Sequence, residues 1–295
     1  MPFAVLRLML PLTLLAAAGG PALAAQEPAG APSTPQFQTT TELVEVYVTA
    51  TDDRGRPVRD LRREEFTLLD NGVPQPLSAF ASGDIALTLA LAIDRSFSMG
   101  ADRLALAKAG AQRLIRALQP DEQLLVLAIG GTVETVVPLG PPSEAALDAV
   151  LRLDVWGTSP IGDSLAAALD TIGGGRGRRA LVLLSDGEER ESRQEAEQLL
   201  DRIRRSDVLI YPVTVGRGSP ALMTTLAAVS GGRLVQGRDR QAIDRGMAGI
   251  IEELRSQYFL GYSPPADRAP GWHRLDVRTS RPGVRLRARQ GYVAP

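Results

Sequence analysis

The stretch I-A-L-T-L-A-L-A-I-D-R-S-F-S, from Ile85 to Ser98, decides the fold of this chain. It begins with an almost continuous apolar run up to Ile93, which is typical of a strand covered on both faces in a parallel sheet. The run ends in Asp94, Ser96 and Ser98, which are all small oxygen-bearing residues. The stretch therefore predicts a buried strand that leaves the sheet through a polar loop.

Beyond this stretch, apolar strand segments alternate with segments of helical spacing. Strand patterns over 124–129, 180–184 and 208–215 are separated by apolar residues that recur every three or four positions. This alternation predicts an α/β fold with a doubly wound, Rossmann-like sheet. In such a sheet, ligands bind beyond the carboxyl ends of the strands, where the strand order reverses.

The N-terminus has the features of a secretory signal. Arg7 precedes an apolar segment over 8–18, and the small-residue motif Ala22-Leu23-Ala24 predicts cleavage after Ala24. The apolar segment is shorter than the roughly 20 residues that a membrane-spanning helix needs. We therefore expect a secreted or periplasmic protein whose mature form has no transmembrane segment.

The segments on both sides of the α/β region have the alternating pattern of half-buried strands. Because so few strands are rarely stable as two separate pieces, we expect them to form one small β-sandwich. The residues expected to share its core are Leu43, Val46, Val48, Tyr258, Leu260, Leu275 and Val277. The predicted organisation is a signal peptide (1–24), a disordered linker (25–41), an N-terminal β segment (42–83), the α/β domain (84–256) and a C-terminal β segment (257–295).

The composition excludes several kinds of site. The chain has no cysteine and a single histidine, His273, so it cannot build a Cys/His zinc site, a cysteine nucleophile or a thiolate-held iron–sulfur cluster. A Ser-His-Asp triad would depend on His273, which lies far along the chain from any nucleophile-elbow motif. The formal net charge of -1 gives no overall attraction to nucleic acid, and we expect none to bind.

Three oxygen-rich loops lie at predicted strand ends or helix starts. The loop Asp94–Ser98 follows the first apolar strand, Thr158 in W-G-T-S-P precedes a helix, and Asp186 in L-L-S-D-G follows another strand. Carboxylate and hydroxyl oxygens without nitrogen or sulfur suit a hard cation such as Mg²⁺ or Mn²⁺. Each loop also has an ordinary structural explanation, since Ser98, Thr158 or Ser159 could cap a helix and Asp186 could lie in a turn.

Together these residues resemble the von Willebrand factor type A domain, a family that includes the inserted domains of integrins. The metal-ion-dependent adhesion site (MIDAS) of that family is written D-x-S-x-S, followed by a distant Thr and a distant Asp. The positions that match this pattern are Asp94, Ser96, Ser98, Thr158 and Asp186. The resemblance implies that Ser96, Ser98 and often Thr158 contact the metal directly, while the two carboxylates commonly act through water.

The flanks resemble those of a secreted bacterial subgroup, the VWFA-related proteins. The similar segments are V-T-A-T-D-D-R-G-R-P-V-R-D-L-R-R-E-E-F, D-N-G-V-P-Q, Q-Y-F-L-G-Y and R-Q-G-Y-V. One departure from the family concerns the x positions of D-x-S-x-S, which are Arg95 and Phe97 here, whereas small residues are frequent there. An exposed Phe97 could narrow the approach to the metal or form part of a partner surface.

The resemblance implies a binding module of the bacterial envelope or exterior, whose metal captures a Glu or Asp side chain of a partner protein. We expect it to be a monomer and not an enzyme. Neutral hydroxyl ligands would leave the ion enough charge to attract that carboxylate.

Two alternatives are a structural envelope protein whose metal rigidifies loops, and a Mg²⁺-dependent hydrolase. The hydrolase is disfavoured because a haloacid-dehalogenase-type phosphatase needs a second carboxylate at the position of Ser96, and no P-loop is present.

Overall fold

The computed structural model describes residues 43–83, 85–216 and 221–295. The predicted signal peptide (1–24) and linker (25–41) lie outside these residues. In the part of the chain that is described, no helix combines the length and the apolar character needed to cross a membrane.

The N-terminal flank consists of short strands and a 3-10 turn over Arg63–Glu65. Its strands are β1 (Val44–Asp52), β2 (Phe66–Asp70), β3 (Val73–Gln75) and β4 (Ala79–Ser82). Strands β2 and β3 form a hairpin whose turn residues, Asn71 and Gly72, have φ angles of 47° and 83°. Asn-Gly is the sequence that tolerates two positive φ angles in such a turn.

A mostly parallel sheet forms the centre of the molecule. Its strands are β5 (Leu87–Asp94), β6 (Gln123–Gly130), β7 (Thr132–Gly140), β8 (Arg178–Ser185), β9 (Leu209–Val215) and β10 (Val235–Gly237). The strand order is β10-β9-β8-β5-β6-β7, and only β7 runs antiparallel to its neighbour. The order reverses at β5, so the loop after Asp94 lies at the switch point of the sheet.

Helices cover both faces of this sheet, which confirms the predicted doubly wound α/β fold. They are α1 (Gly100–Ala117), α2 (Glu144–Leu151), α3 (Ile161–Ile172), α4 (Ala196–Arg205), α5 (Ala221–Ser230) and α6 (Arg240–Ser256). Side chains alternate along a strand, and β5 directs its leucines and Ile93 toward α1, α2 and α6. Its small residues Ala90 and Ala92 face α3, α4 and α5.

Strands from the two ends of the chain pair with each other. The C-terminal strands are β11 (Tyr258–Tyr262), β12 (Gly271–Thr279), β13 (Val284–Arg287) and β14 (Gly291–Ala294). One sheet has the order β13-β1-β11-β4 and the other has the order β14-β12-β2-β3. Because each sheet contains strands from both flanks, the flanks form a joint β structure, as the sequence predicts.

The two small sheets share one apolar core. Most of the residues predicted to share it are buried there or pack against it, namely Val46, Val48, Tyr258, Leu260, Leu275 and Val277. The prediction for Leu43 is wrong, because this residue is 38% exposed while Val44 is 4% exposed. The reason is strand alternation, since 44, 46 and 48 share one face and Leu43 precedes the strand.

A buried polar cluster crosses this core. The Asp70 carboxylate accepts hydrogen bonds from the hydroxyls of Tyr262 (2.7 Å) and Tyr292 (3.1 Å), and it lies 2.8 Å from Nδ1 of His273. The other ring nitrogen lies 2.7 Å from the Ala269 carbonyl oxygen. Burial lowers the pKa of His273, but the Ala269 carbonyl and the Asp70 carboxylate outweigh it, so the pKa is above its ordinary value of 6.5.

The His273–Asp70 pair should make stability depend on pH. Since the folded-state pKa of His273 exceeds the unfolded-state value, its contribution is complete below about pH 6.5 and is lost as the pH rises through the folded-state pKa. Urea unfolding of the wild type and of His273→Gln should therefore give a difference in unfolding free energy that shrinks as the pH rises. A difference that is independent of pH would contradict this assignment.

Candidate metal centre

The predicted site lies at the carboxyl edge of the central sheet. Asp94 is the last residue of β5, and Ser185 is the last residue of the adjacent parallel strand β8. Asp186 follows directly. The carboxyl ends of two neighbouring strands thus bring two of the predicted loops together.

The third loop, which precedes α3, is held against the loop after β5 by backbone hydrogen bonds. The N–H of Trp156 donates to the Arg95 carbonyl (2.7 Å), and the N–H of Phe97 donates to the Gly157 carbonyl (2.9 Å). Gly157 has a φ of 73°, and a Cβ there would come within 2.5 Å of the carbonyl carbon of Gly130. Only glycine allows the loops to approach this closely.

Asp94 is the buried centre of the site. Its carboxylate accepts hydrogen bonds from the Ser96 N–H (2.9 Å), the Ser159 hydroxyl (3.1 and 3.2 Å) and the Ser185 hydroxyl (2.6 Å). Burial raises the pKa of Asp94 above its ordinary value. The hydrogen bonds from Ser185 and Ser96 lower it, and the charge of Asp186 raises it. The site therefore holds a carboxylate whose negative charge is poorly solvated.

The hydroxyls of Ser96 and Ser98 belong to the same cluster. Ser96 Oγ lies 2.6 Å from Ser159 Oγ and 3.1 Å from Ser98 Oγ. Helix α1 has Met99 at its N-cap position and no side-chain cap. Ser98 therefore does not serve as a helix cap, and its hydroxyl lies within hydrogen-bond distance of the Ser96 hydroxyl instead.

Thr158 lies beside this cluster, but its hydroxyl has a different partner. It donates to Glu191 Oε2 at 2.8 Å. The first turn of α3 donates a backbone N–H to Glu189 (2.8 Å) and to Ser192 (2.9 Å), so neither Thr158 nor Ser159 caps that helix. Of the five predicted ligands, Thr158 is thus the one whose side chain forms no hydrogen bond to the others, either directly or through a shared partner.

Asp186 is paired with an arginine. Its side chain is 6% exposed, and its Oδ2 accepts a hydrogen bond from Arg103 at 2.9 Å. The same guanidinium nitrogen donates to the Ser98 carbonyl at 3.0 Å. Arg103 therefore links the loop after β5 to the loop after β8, and it places a positive charge on one of the two predicted carboxylate ligands.

The residues present fit a hard divalent cation. Their donor atoms are hydroxyl and carboxylate oxygens, which Mg²⁺ and Mn²⁺ prefer. In the described segments, no arginine, lysine or histidine forms an ion pair with Asp94. No group of three or more His, Cys, Asp and Glu side chains there could hold a metal. Coordination at this edge would consequently depend on hydroxyls.

The sequence pattern did not single out four residues that contact the predicted ligands. Ser159 and Ser185 are each adjacent in sequence to a predicted ligand, Thr158 and Asp186. Their position in oxygen-rich loops could have marked their hydroxyls as further members of the site. Arg103 and Glu191 offered no such signal. Their contacts join segments that are 83 and 33 residues apart, and no local pattern encodes those contacts.

Comparison with known families identifies the segment that carries the site. Residues 89–189 match the family model of the von Willebrand factor type A domain. All five predicted ligands lie within this match. Among curated proteins, no significant match to the sequence exists.

Solved structures agree in fold. A von Willebrand factor type A protein from Catenulispora acidiphila is 14% identical, with a TM-score of 0.50, over 88% of this chain and 75% of that protein. Proximal thread matrix protein 1 from the mussel byssus, with zinc in its MIDAS motif, is 18% identical with a TM-score of 0.51. That match covers 63% of this chain and 49% of the mussel protein. The segment over residues 89–189 is thus a von Willebrand factor type A domain.

Proposed function

We propose that the protein is a divalent-cation-dependent binding module, without enzymatic activity, that holds an acidic side chain of a partner protein. The observation that carries this proposal is the fully buried carboxylate of Asp94, surrounded by hydroxyls. Ser96, Ser98 and Thr158 would provide direct ligands, and Asp94 and Asp186 would act behind them. A bound Mg²⁺ or Mn²⁺ supplies a coordination position for an external carboxylate.

The other buried carboxylates of the described residues support this proposal, because each lies against an arginine or, for Asp70, against a histidine. Glu253 accepts hydrogen bonds from Arg233 and Arg287, Glu122 pairs with Arg255, and Asp70 lies against His273. The carboxylate side chains of Glu253, Glu122 and Asp70 are 8%, 1% and 7% exposed. Leaving a buried carboxylate without a cation is costly. Among the buried carboxylates of the described residues, Asp94 alone lacks an arginine or histidine partner, and a bound cation would supply the missing positive charge.

The charge balance of the site favours capture of a carboxylate. Ser96, Ser98 and Thr158 are neutral donors, and Asp186 already shares its charge with Arg103. A divalent ion held by such a set would keep a net positive charge. Its attraction for a partner carboxylate would be strengthened by the low dielectric constant around a partly buried site.

The hydrolase alternative has less support than binding. The single histidine of the chain lies in the β-sandwich, where its ring nitrogens face Asp70 and Ala269. It therefore offers no general base to the metal centre. The structural alternative predicts the same metal site but no binding of an external carboxylate.

The envelope or exterior is the proposed location, and the predicted signal peptide over 1–24 supports it. The mussel byssus protein holds zinc in its MIDAS motif, which supports a divalent ion at the corresponding sheet edge. Its similarity to this chain is one of fold.

Asp94→Asn should abolish stabilisation by Mg²⁺. Without added metal the variant should melt at or slightly above the wild-type temperature, because the buried charge is removed while the amide oxygen still accepts the Ser96 N–H. A hundredfold excess of Mg²⁺ over its dissociation constant should stabilise the wild type by about 2.7 kcal/mol. Melting curves measured against Mg²⁺ and Mn²⁺ should thus cross for the two proteins.

A matched control for Asp94→Asn is Asp163→Asn. Asp163 accepts backbone hydrogen bonds from Arg193 (3.1 Å) and Gln194 (2.9 Å) near the start of α3 and is not one of the predicted ligands. This variant should keep the wild-type response to Mg²⁺. Flat, parallel curves for the wild type and Asp94→Asn would contradict metal binding at Asp94.

A short acidic peptide should bind only when the metal is present. Acetyl-Gly-Asp-Gly-amide offers a single carboxylate, and one metal–carboxylate contact implies millimolar affinity, roughly -4 kcal/mol. Saturation-transfer NMR should detect binding with Mg²⁺ and none with EDTA, with the Asn-containing peptide, or with Thr158→Ala. If Mg²⁺ stabilises the protein but no acidic peptide binds, the structural alternative is correct.

Arg103→Gln should increase the response to Mg²⁺. Removing the guanidinium leaves the buried side chain of Asp186 without its ion-pair partner, which should cost about 1 kcal/mol in the absence of metal. The cation would then meet no competing charge at Asp186, so its stabilising effect should exceed that in the wild type. Arg240→Gln, which breaks the exposed pair with Asp244 on α6, is the control and should leave the response unchanged. An unaltered response in Arg103→Gln would show that the guanidinium does not limit metal binding.

A further inference from the structure

Two large aromatic side chains are exposed beside the predicted metal centre. Phe97 is 68% exposed and Trp156 is 62% exposed, the highest values for large apolar residues in the described part of the chain. Phe97 stands between Ser96 and Ser98, and Trp156 stands two residues before Thr158. Folded proteins usually bury such residues, and an exposed apolar patch often marks an interaction surface.

The fold does not need these two side chains. Neither belongs to any of the three apolar cores or packs against them. The backbone of Phe97, by contrast, is used, because its N–H donates to the Gly157 carbonyl at 2.9 Å. The chain therefore fixes the position of Phe97 through its backbone and leaves the ring in solvent.

The loops that carry both rings are preorganised. The N–H of Trp156 donates to the Arg95 carbonyl at 2.7 Å, and the Arg95 guanidinium pairs with Glu134 on β7 at 2.8 Å. The N–H of Gly131 also donates to the Thr158 carbonyl at 2.8 Å, which joins the Trp156 loop to the end of β6. A surface fixed in this way loses little conformational entropy when a partner binds.

We propose that Phe97 and Trp156 form an apolar rim that recognises an apolar side chain next to the acidic residue of the partner. This inference rests on the proposed function, because the cation must hold the acidic residue. Exposed Glu189 and Glu191 lie on the neighbouring loop after Asp186, where Glu188 is already paired with Arg190, and these two glutamates would repel a second acidic residue. The partner segment is accordingly one carboxylate flanked by an apolar residue, not an acidic cluster.

Three peptides test this specificity: acetyl-Gly-Asp-Gly-amide, acetyl-Leu-Asp-Gly-amide and acetyl-Arg-Asp-Gly-amide. The arginine peptide is included because aromatic rings also attract cations. Trp156 and Trp272 are the only tryptophans, so a Trp272→Phe background makes Trp156 the sole tryptophan reporter. Titrations in Mg²⁺ and in EDTA would follow Trp156 fluorescence and, independently, peptide saturation-transfer NMR.

With Mg²⁺, the leucine peptide should bind about tenfold more tightly than the glycine peptide, since part of the leucine side chain leaves water. It should also change the fluorescence of Trp156. In the double variant Phe97→Ser, Trp156→Ser, the leucine and glycine peptides should bind with equal affinity, because the rim that distinguishes them is gone. A wild-type melting response to Mg²⁺ in the double variant would confirm that its metal centre is intact.

Separate outcomes would overturn the rim and the proposed function. Equal binding of the leucine and glycine peptides to the wild type, tighter binding of the arginine peptide, or a leucine preference that persists in the double variant would overturn the rim alone. If the glycine peptide needs Mg²⁺ but the leucine peptide also binds in EDTA, the rim as proposed is overturned, because its ligand would not depend on a cation-held carboxylate, and the proposed function stands. Absence of Mg²⁺-dependent binding for all three peptides would overturn the proposed function and the rim together.

Discussion

The buried negative charge of Asp94 is the constraint on which the rest of the site depends. It lies at the end of β5, where the strand order reverses, and it can be tolerated only if polar groups converge on it. The Ser159 hydroxyl joins the loop before α3 to Asp94, and the Ser185 hydroxyl joins the end of β8 to the same carboxylate. One carboxylate thus fixes the relative positions of three chain segments that are remote in sequence. Hydrogen bonds from neutral donors reduce the cost of this burial but do not neutralise the charge, and a bound cation would.

The central strand makes this arrangement possible through its two unequal faces. Leucine and isoleucine on one face of β5 pack with α1 and α6, whereas Ala90 and Ala92 leave room on the other face for α3. A close approach of α3 also brings the loop that precedes it near Asp94. Gly157 then permits backbone contact with Gly130 that any Cβ would prevent. The packing of α3 against the small residues of β5 therefore also places the loop that completes the polar site.

Local patterns predict the features of this protein that depend on neighbours in sequence. Three patterns were enough to predict the α/β sheet and the β-sandwich: the apolar run to Ile93, the helical spacing after Gly100 and the alternation at both flanks. The one wrong core residue was Leu43, which is exposed. The five ligands remain a prediction. Contacts such as Thr158 with Glu191 and Asp186 with Arg103 arise only when distant segments meet, and their side chains have several possible partners in sequence.

Those two contacts divide the predicted ligands into an inner and an outer group. Asp94, Ser96 and Ser98 are linked to each other through hydrogen bonds of 2.9 and 3.1 Å and lie at the end of β5. Thr158 and Asp186 are held by Glu191 and Arg103, whose side chains lie toward solvent. Arg103 and Glu191 reach solvent, so water can hydrate either group when it releases its partner, whereas water cannot replace the hydrogen bonds of the buried hydroxyls around Asp94. Exchanging a partner therefore costs less in the outer group than in the inner group. The strength of cation binding would consequently be set by the outer pair, whereas the inner group determines where the cation can bind at all.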